Sequence, residues 1–281
     1  MRLTLLGTGT SFGVPQIGCH CAVCCSADPR DKRSRTAALV EIPGVGNRES
    51  GIGGQQADSR LPIPESRSIL IDTPPELRLQ LLAAGVTRVD AVLYSHEHAD
   101  HVHGIDDLRV FSVERAAPLP VYGAEPTLRF LRESYRYIFD PETVPYEGTS
   151  APRLSLEPLT PGRVTEVAGV EVLPLAFEHG HSEVLGFRIG PVAYVTDAKR
   201  VNEAEREMLA GVELLVLNAL WWHPHPTHLS IPEAVAVAQA IGARRTVLTH
   251  LTHKTGHAEL AARLPRGVEP GYDGQILEIP A

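Results

Sequence analysis

The alternation of hydrophobic and polar positions, with uninterrupted branched runs between turns, predicts β-strands at residues 2–6, 36–42, 68–71 and 91–94. A strand pair over 164–177, turning at Ala168-Gly169, is followed by strands at 185–189, 192–195, 214–217, 246–248 and 276–279. Helical spacing predicts helices at 75–84, with proline in its first turn and Gly85 behind it, at 125–138 and at 232–241. Elements in this order predict a layered α/β architecture with helices outside packed sheets. Residues 43–67, rich in Gly, Ser, Gln and Pro, read as a long mobile hairpin loop inserted in one domain that spans 1–281.

Composition narrows this picture. A chain of 281 residues that is 43% hydrophobic can bury one large core, and no linker divides it. The formal net charge of −8 argues against binding long nucleic acid, which needs clustered Lys and Arg. The run at residues 1–7 is too brief for a signal peptide, and no stretch approaches the ~20 apolar residues of a membrane span. A soluble cytoplasmic protein without a membrane partner is expected. All four cysteines lie within residues 19–25, so they mark a local site and not a disulfide scaffold.

The strongest chemical signal is Ser95-His96-Glu97-His98-Ala99-Asp100-His101, directly after the apolar strand at 91–94. In extended backbone His96 and His98 point the same way and can grip one metal. Asp100 and His101 point elsewhere and can serve a second. A solvated polar loop is the bland alternative, and it seldom spaces three histidines and an aspartate in this way.

The pattern from His96 to His101 resembles the metallo-β-lactamase superfamily, whose fold is a four-layer αββα sandwich with a dinuclear metal site. Further motifs narrow the likeness: Leu6-Gly7-Thr8-Gly9-Thr10, Gly18-Cys19-His20-Cys21-Ala22-Val23-Cys24, Leu70-Ile71-Asp72-Thr73, Gly104 to Arg109, Val195-Thr196-Asp197, Pro226-Thr227-His228 and Leu248 to His253. As an ordered set covering almost the whole chain, they resemble the PhnP-like phosphodiesterases.

The resemblance implies a ligand set. His96, His98 and His179 would hold one divalent ion, Asp100, His101 and His250 the other, and Asp197 would bridge them; His181 is the alternative to His179. Cys19, Cys21 and Cys24 at C-x-C-x2-C spacing would bind a structural zinc, with His253 as the fourth ligand that the family supplies. Cys25 falls outside that spacing. His228 matches the family's proton donor, and Asp100 is counted with it as catalytic.

The implied reaction is hydrolysis of a small, cyclic phosphodiester by a hydroxide held between two ions, Zn or Mn. A homodimer is a family-level expectation. The alternatives are RNA 3′-processing of the tRNase Z kind, which the acidic balance disfavours, and lactone or thioester hydrolysis in the same superfamily. Asp72 would orient a metal ligand from behind. Arg109 would meet a substrate phosphate or pair with Asp106 or Asp107. His223, His225 and His257 read as solvent-facing or local hydrogen-bonding groups, and Trp221 and Trp222 as core or as the wall of a pocket.

Overall fold

A computed structural model describes residues 1–44, 66–140, 142–143 and 147–280. Among these, two seven-stranded sheets face each other. The first holds β1 (Arg2–Gly7), β2 (Ala37–Pro43), β3 (Ser66–Ile71), β4 (Ala91–Leu93), β5 (Leu119–Gly123) and β6 (Leu154–Pro158). The second holds β7 (Thr165–Val167), β8 (Val170–His179), β9 (Ser182–Ile189), β10 (Val192–Val195), β11 (Leu214–Asn218), β12 (Arg245–Thr249) and β13 (Val268–Pro270); β14 (Ile276–Glu278) returns to the first. The spatial orders are β14-β1-β2-β3-β4-β5-β6 and β13-β12-β11-β10-β9-β8-β7.

The apolar runs explain the layers. Leu3, Leu5, Val40, Ile69, Ile71 and Leu93 of the first sheet meet Val172, Phe187, Tyr194, Val216 and Val247 of the second in one buried cluster. Their neighbours along the strands point outward: Leu6, Leu39, Leu70 and Val92 pack with Leu77, Leu81 and Leu128 of one helical layer. Ala193, Val195, Leu215 and Leu217 do the same with Ile231, Ala234 and Leu260 of the other. Strands buried on both faces need hydrophobic residues at every position, which is why they read as continuous runs. The result is the αββα sandwich.

Predicted and observed elements differ at definable places. The strand pair of the second sheet turns with Ala168 at φ 50° and Gly169 at φ 81°, the doubly left-handed turn that matches strand twist. The helix expected at 125–138 breaks at Tyr135 into helices Glu125–Ser134 and Arg136–Phe139. Strands β5 and β6 were not expected, because Pro120 sits inside β5 and β6 is an edge strand only partly buried. Helices Glu203–Leu209 and His257–Arg263 are too short to show a period. Of the predicted loop at 43–67, Pro43 pairs with Ser66 and Ile42 with Arg67, so its ends belong to β2 and β3. Residues 45–65 lie outside the described residues.

Candidate active site

Strands β3 and β4 are parallel, as are β10, β11 and β12, and β8 runs with β10 because both are antiparallel to β9. Their carboxyl ends therefore gather along one edge of the sandwich, and each releases a chemically active residue there. Asp72 follows β3, His96 to His101 follow β4, His179 ends β8, Asp197 follows β10 and His250 follows β12. Asp72, Asp197 and His250 have φ of 62°, 59° and 56°, left-handed conformations that L-residues adopt at a cost. Three such positions at one edge mark a site whose surroundings hold it in shape.

Donor atoms of His96, His98 and His179 lie within 4.8 Å of one another, as do those of Asp100, His101 and His250. Asp197 is in reach of both groups: Oδ1 is 3.1 Å from His250 Nε2, Oδ2 is 3.3 Å from His101 Nε2, and its carboxylate also lies within 4.8 Å of donor atoms of His96 and His179. His228 joins from the loop before helix Ile231–Ile241, its Nδ1 3.5 Å from Asp197 Oδ1. His181 is exposed in the turn after β8, whereas His179 is buried. Removing the His179 ring is expected to release catalytic metal while His181→Ala keeps it; metal counting on both variants checks this, and full loading of His179→Ala would exclude His179 as a ligand.

Supporting groups aim these rings. His101 donates from Nδ1 to Asp72 Oδ2 at 2.8 Å, and Asp72 also accepts from Ser95 N and Ser95 Oγ, each at 2.8 Å, so His101 turns Nε2 toward the cluster. His179 donates from Nδ1 to Thr227 O at 3.0 Å. Gly180 permits that approach: at φ 63° it tolerates the turn, and a Cβ there would meet Thr227 Cγ2 at 2.9 Å. Asn218 clamps the turn that carries Asp197, accepting from Ala198 N at 2.9 Å and donating to Ala198 O at 3.0 Å. Of these supports, sequence reading found only Asp72. The polar residue closing the apolar run of β11 was an available sign of Asn218, and Thr227 acts through its backbone, which no sequence motif displays.

The electrostatics fit a divalent cation. Burial works against charge on Asp197, yet His250 and His101 hold it well below the usual carboxylate range. Burial likewise opposes charge on His101, but Asp197 and Asp72 raise it well above the usual imidazole range. Burial, followed by His101, lowers His96 well below that range, and burial lowers His250. The buried atoms His101 Nε2, His250 Nδ1 and His250 Nε2 find no hydrogen-bond partner among the described residues. Unpartnered imidazole nitrogens beside carboxylates are costly unless a cation lies between them.

The cysteines form a second cluster. His253 Nδ1 is 3.2 Å from Cys19 Sγ, 3.5 Å from Cys21 Sγ and 3.4 Å from Cys24 Sγ. Zinc with bonds of about 2.3 Å to sulfur and about 2.0 Å to nitrogen has tetrahedral S···N edges of about 3.5 Å. Cys25 is exposed and stays outside the four-donor group. A hydrogen bond from Cys24 N leads the effects that lower Cys21 to about 6, whereas burial pushes Cys24 up to about 11. Arg33, fully buried, donates to Thr252 O at 2.6 Å and Thr255 O at 3.2 Å, bracketing His253. Besides Asp31, 3.4 Å away, its partners are carbonyls more than two hundred residues away, so no local motif points to its link with His253.

The structure decides three side residues, and for Arg109 it takes the pairing with Asp106 that the sequence allowed. Arg109 is engaged by Asp106, 2.7 and 2.9 Å from its two oxygens, and by Ser150 O. His225 is the local hydrogen-bonding group expected, its Nδ1 3.1 Å from Thr227 Oγ1, and it also stacks on His228 with centroids 5.3 Å apart and lines the adjoining cavity. His257 is buried, with its backbone N donating to Asp31 at 2.6 Å.

Residues 67–251 match the family described as the Beta-lactamase superfamily domain. The crystal structure of a new diphosphatase from the PhnP family is 35% identical, with a TM-score of 0.83 over 99% of this chain and 98% of that one. An octanoyltransferase of Porphyromonas gingivalis is 40% identical over 98% of this chain, which spans 51% of that relative's length. Zinc-bound PqqB from Methylobacterium extorquens, 18% identical with a TM-score of 0.75 over 99% of this chain and 100% of that one, shares the fold. This chain belongs to the metallo-β-lactamase superfamily and, within it, to the PhnP family.

Proposed function

We propose that this chain is a hydrolase that cleaves small, cyclic phosphodiesters with two divalent ions. The observation that carries the reading is the pair of three-donor clusters with Asp197 within 4.8 Å of donor atoms of His96, His101 and His179 and with buried ring nitrogens left unpartnered. His96, His98 and His179 would hold one ion, Asp100, His101 and His250 the other, and Asp197 both. When bound, the ions supply Lewis acidity toward phosphoryl oxygens and an ionised water as nucleophile. Imidazole and carboxylate donors suit zinc and manganese alike. Cys19, Cys21, Cys24 and His253 would hold a structural zinc.

The chain's own residues account for the rest. Two carboxylates, Asp100 and Asp197, leave a dication pair with net positive charge, which attracts an anionic phosphate. His228 would supply a proton to the leaving oxygen. Burial, then His250, pushes His228 down to about 3. A phosphate anion beside the ring raises its affinity for the proton that it hands over. The acidic surface, at a net charge of −8, favours a small substrate over a long RNA.

The His228→Ala variant is expected to keep its metal and lose about 10²- to 10⁴-fold in kcat on diesters with poor leaving groups. Bis-p-nitrophenyl phosphate, whose leaving group needs no proton, is expected to suffer far less. Loss of metal from this variant would make His228 a ligand, since it also lies in a donor group with His179 and Asp197.

Acyl hydrolysis is the second reading, favoured by the octanoyltransferase name of the Porphyromonas gingivalis relative. That name belongs to a protein of which this chain spans about half. Protein reconstituted with Mn or Zn should be compared on bis-p-nitrophenyl phosphate, a 2′,3′-cyclic nucleotide, a model lactone and an octanoyl thioester. Turnover of the phosphodiesters supports the first reading; turnover of the acyl substrates alone would replace it.

A further inference from the structure

Adjacent tryptophans, Trp221 and Trp222, have different fates. Trp222 is a packing residue: its Nε1 donates to Thr255 Oγ1 at 2.9 Å, and the Arg263 guanidinium lies 3.6 Å from its ring centre. Trp221 instead lines a cavity of about 210 Å³ beside the catalytic cluster, and its indole Nε1 finds no hydrogen-bond partner among the described residues. Phe12 lines the same cavity while 68% exposed, a large apolar ring with little packing role.

The cavity is continuous with the chemistry. His228 and His250 both line it and both stand beside Asp197. A chain of rings connects the two regions: Trp221 to His225 at 5.5 Å, His225 to His228 at 5.3 Å and His228 to His250 at 4.7 Å between centroids. The cysteine cluster shapes the walls, since Gln16, another lining residue, donates its backbone N to Cys24 Sγ, and Lys254 follows His253. The loop of Phe12 and the loop of Lys254 are thus held together through the four zinc-binding side chains.

We propose that this cavity is the leaving-group subsite, and that Phe12 and Trp221 select substrates whose leaving alcohol carries a planar heteroaromatic ring. The proposal rests on the phosphodiesterase reading. In that reaction a water that has lost one proton to solvent bonds through its oxygen to phosphorus, the bond from phosphorus to the alcohol oxygen breaks with its electron pair on that oxygen, and His228, having taken up a proton from solvent, gives it to that oxygen. The substituent on the leaving oxygen must therefore lie next to His228, and the space next to His228 is this aromatic-walled cavity. Aromatic rings offer flat faces on which a nucleobase stacks, and removing one such side chain costs roughly tenfold or more in binding.

The test uses two five-membered cyclic diesters of like chemistry, adenosine 2′,3′-cyclic phosphate and glycerol 1,2-cyclic phosphate, with metal-reconstituted protein. The wild type is expected to favour the adenosine compound in kcat/KM by about tenfold or more. Trp221→Ala and the surface variant Phe12→Ala are each expected to lower that ratio by about tenfold. Adenosine 3′-monophosphate is expected to quench tryptophan fluorescence, and Trp221→Phe, which keeps Trp222, to abolish the quench. Equal turnover of both diesters by the wild type, or an unchanged ratio in both alanine variants, would overturn the subsite and leave the phosphodiesterase reading standing. Quenching without turnover of either diester would show that the cavity binds a nucleobase but remove the phosphodiesterase reading and, with it, the leaving-group role; absence of both would remove the two together.

Discussion

Asp197→Asn is expected to empty the catalytic cluster while leaving the cysteine cluster loaded, with kcat/KM falling by about 10³-fold or more because the lost metal chemistry is worth several kcal/mol. Both carboxylate oxygens are in use, Oδ1 toward His250 and Oδ2 toward His101, so an amide nitrogen in either place faces a donor or a cation. Asparagine keeps the size of the side chain, and the clamp by Asn218 on Ala198 is untouched, so the turn should survive. Metal counting should show a fall from about three ions per chain toward about one, with the far-ultraviolet spectrum unchanged. Retention of all three ions with activity near wild type would sink the bridging role.

Cys24→Ser is the second large effect, and it falls on stability first. Cys24 and His253 are 229 positions apart, and a single cross-link over such a span would restrict the unfolded chain by on the order of 5 kcal/mol. Other ties already join the same segments. Arg33 holds the carbonyls of Thr252 and Thr255, and Asp273 accepts from Thr8 and Ser34 through both backbone and hydroxyl groups. The loss should therefore be partial, a drop in Tm of about 5–15 °C together with release of about one zinc per chain. A Tm and zinc content equal to wild type would show that the four donors hold no structural ion. Because Gln16 leans on Cys24 Sγ, the variant should also weaken substrate binding more than it slows the chemistry at saturating substrate.

Much of the framework was legible before the structure. Runs such as Ser68 to Ile71 and Val192 to Val195 became strands buried on both faces, and the histidine box fell at the end of β4, where the run at 91–94 placed it. His96, His98, Asp100 and His101 were readable because they are neighbours in sequence and one strand exit brings them together. The geometry of the other elements was less accessible. Sequence chose His179 with His181 as the alternative; burial and the Thr227 carbonyl distinguish them. It left Trp221 and Trp222 equivalent, and it read His225 as solvent-facing or locally hydrogen-bonded without reaching the stacking of that ring on His228.

What the sequence by itself determined is what depends on near neighbours: the strand period, the turn at Ala168-Gly169, the box after β4 and the C-x-C-x2-C spacing. These follow from backbone geometry, which repeats over a few residues and writes its period into the order of side chains. Tertiary structure alone decided which distant groups meet. The left-handed backbone at Asp72, Asp197 and His250, the Asn218 clamp, Arg33 bracketing His253 and the aromatic cavity beside His228 all depend on strand ends of two sheets packed face to face. Such contacts cost loop closure and are stabilised by the whole core, so no short stretch of sequence carries their signature.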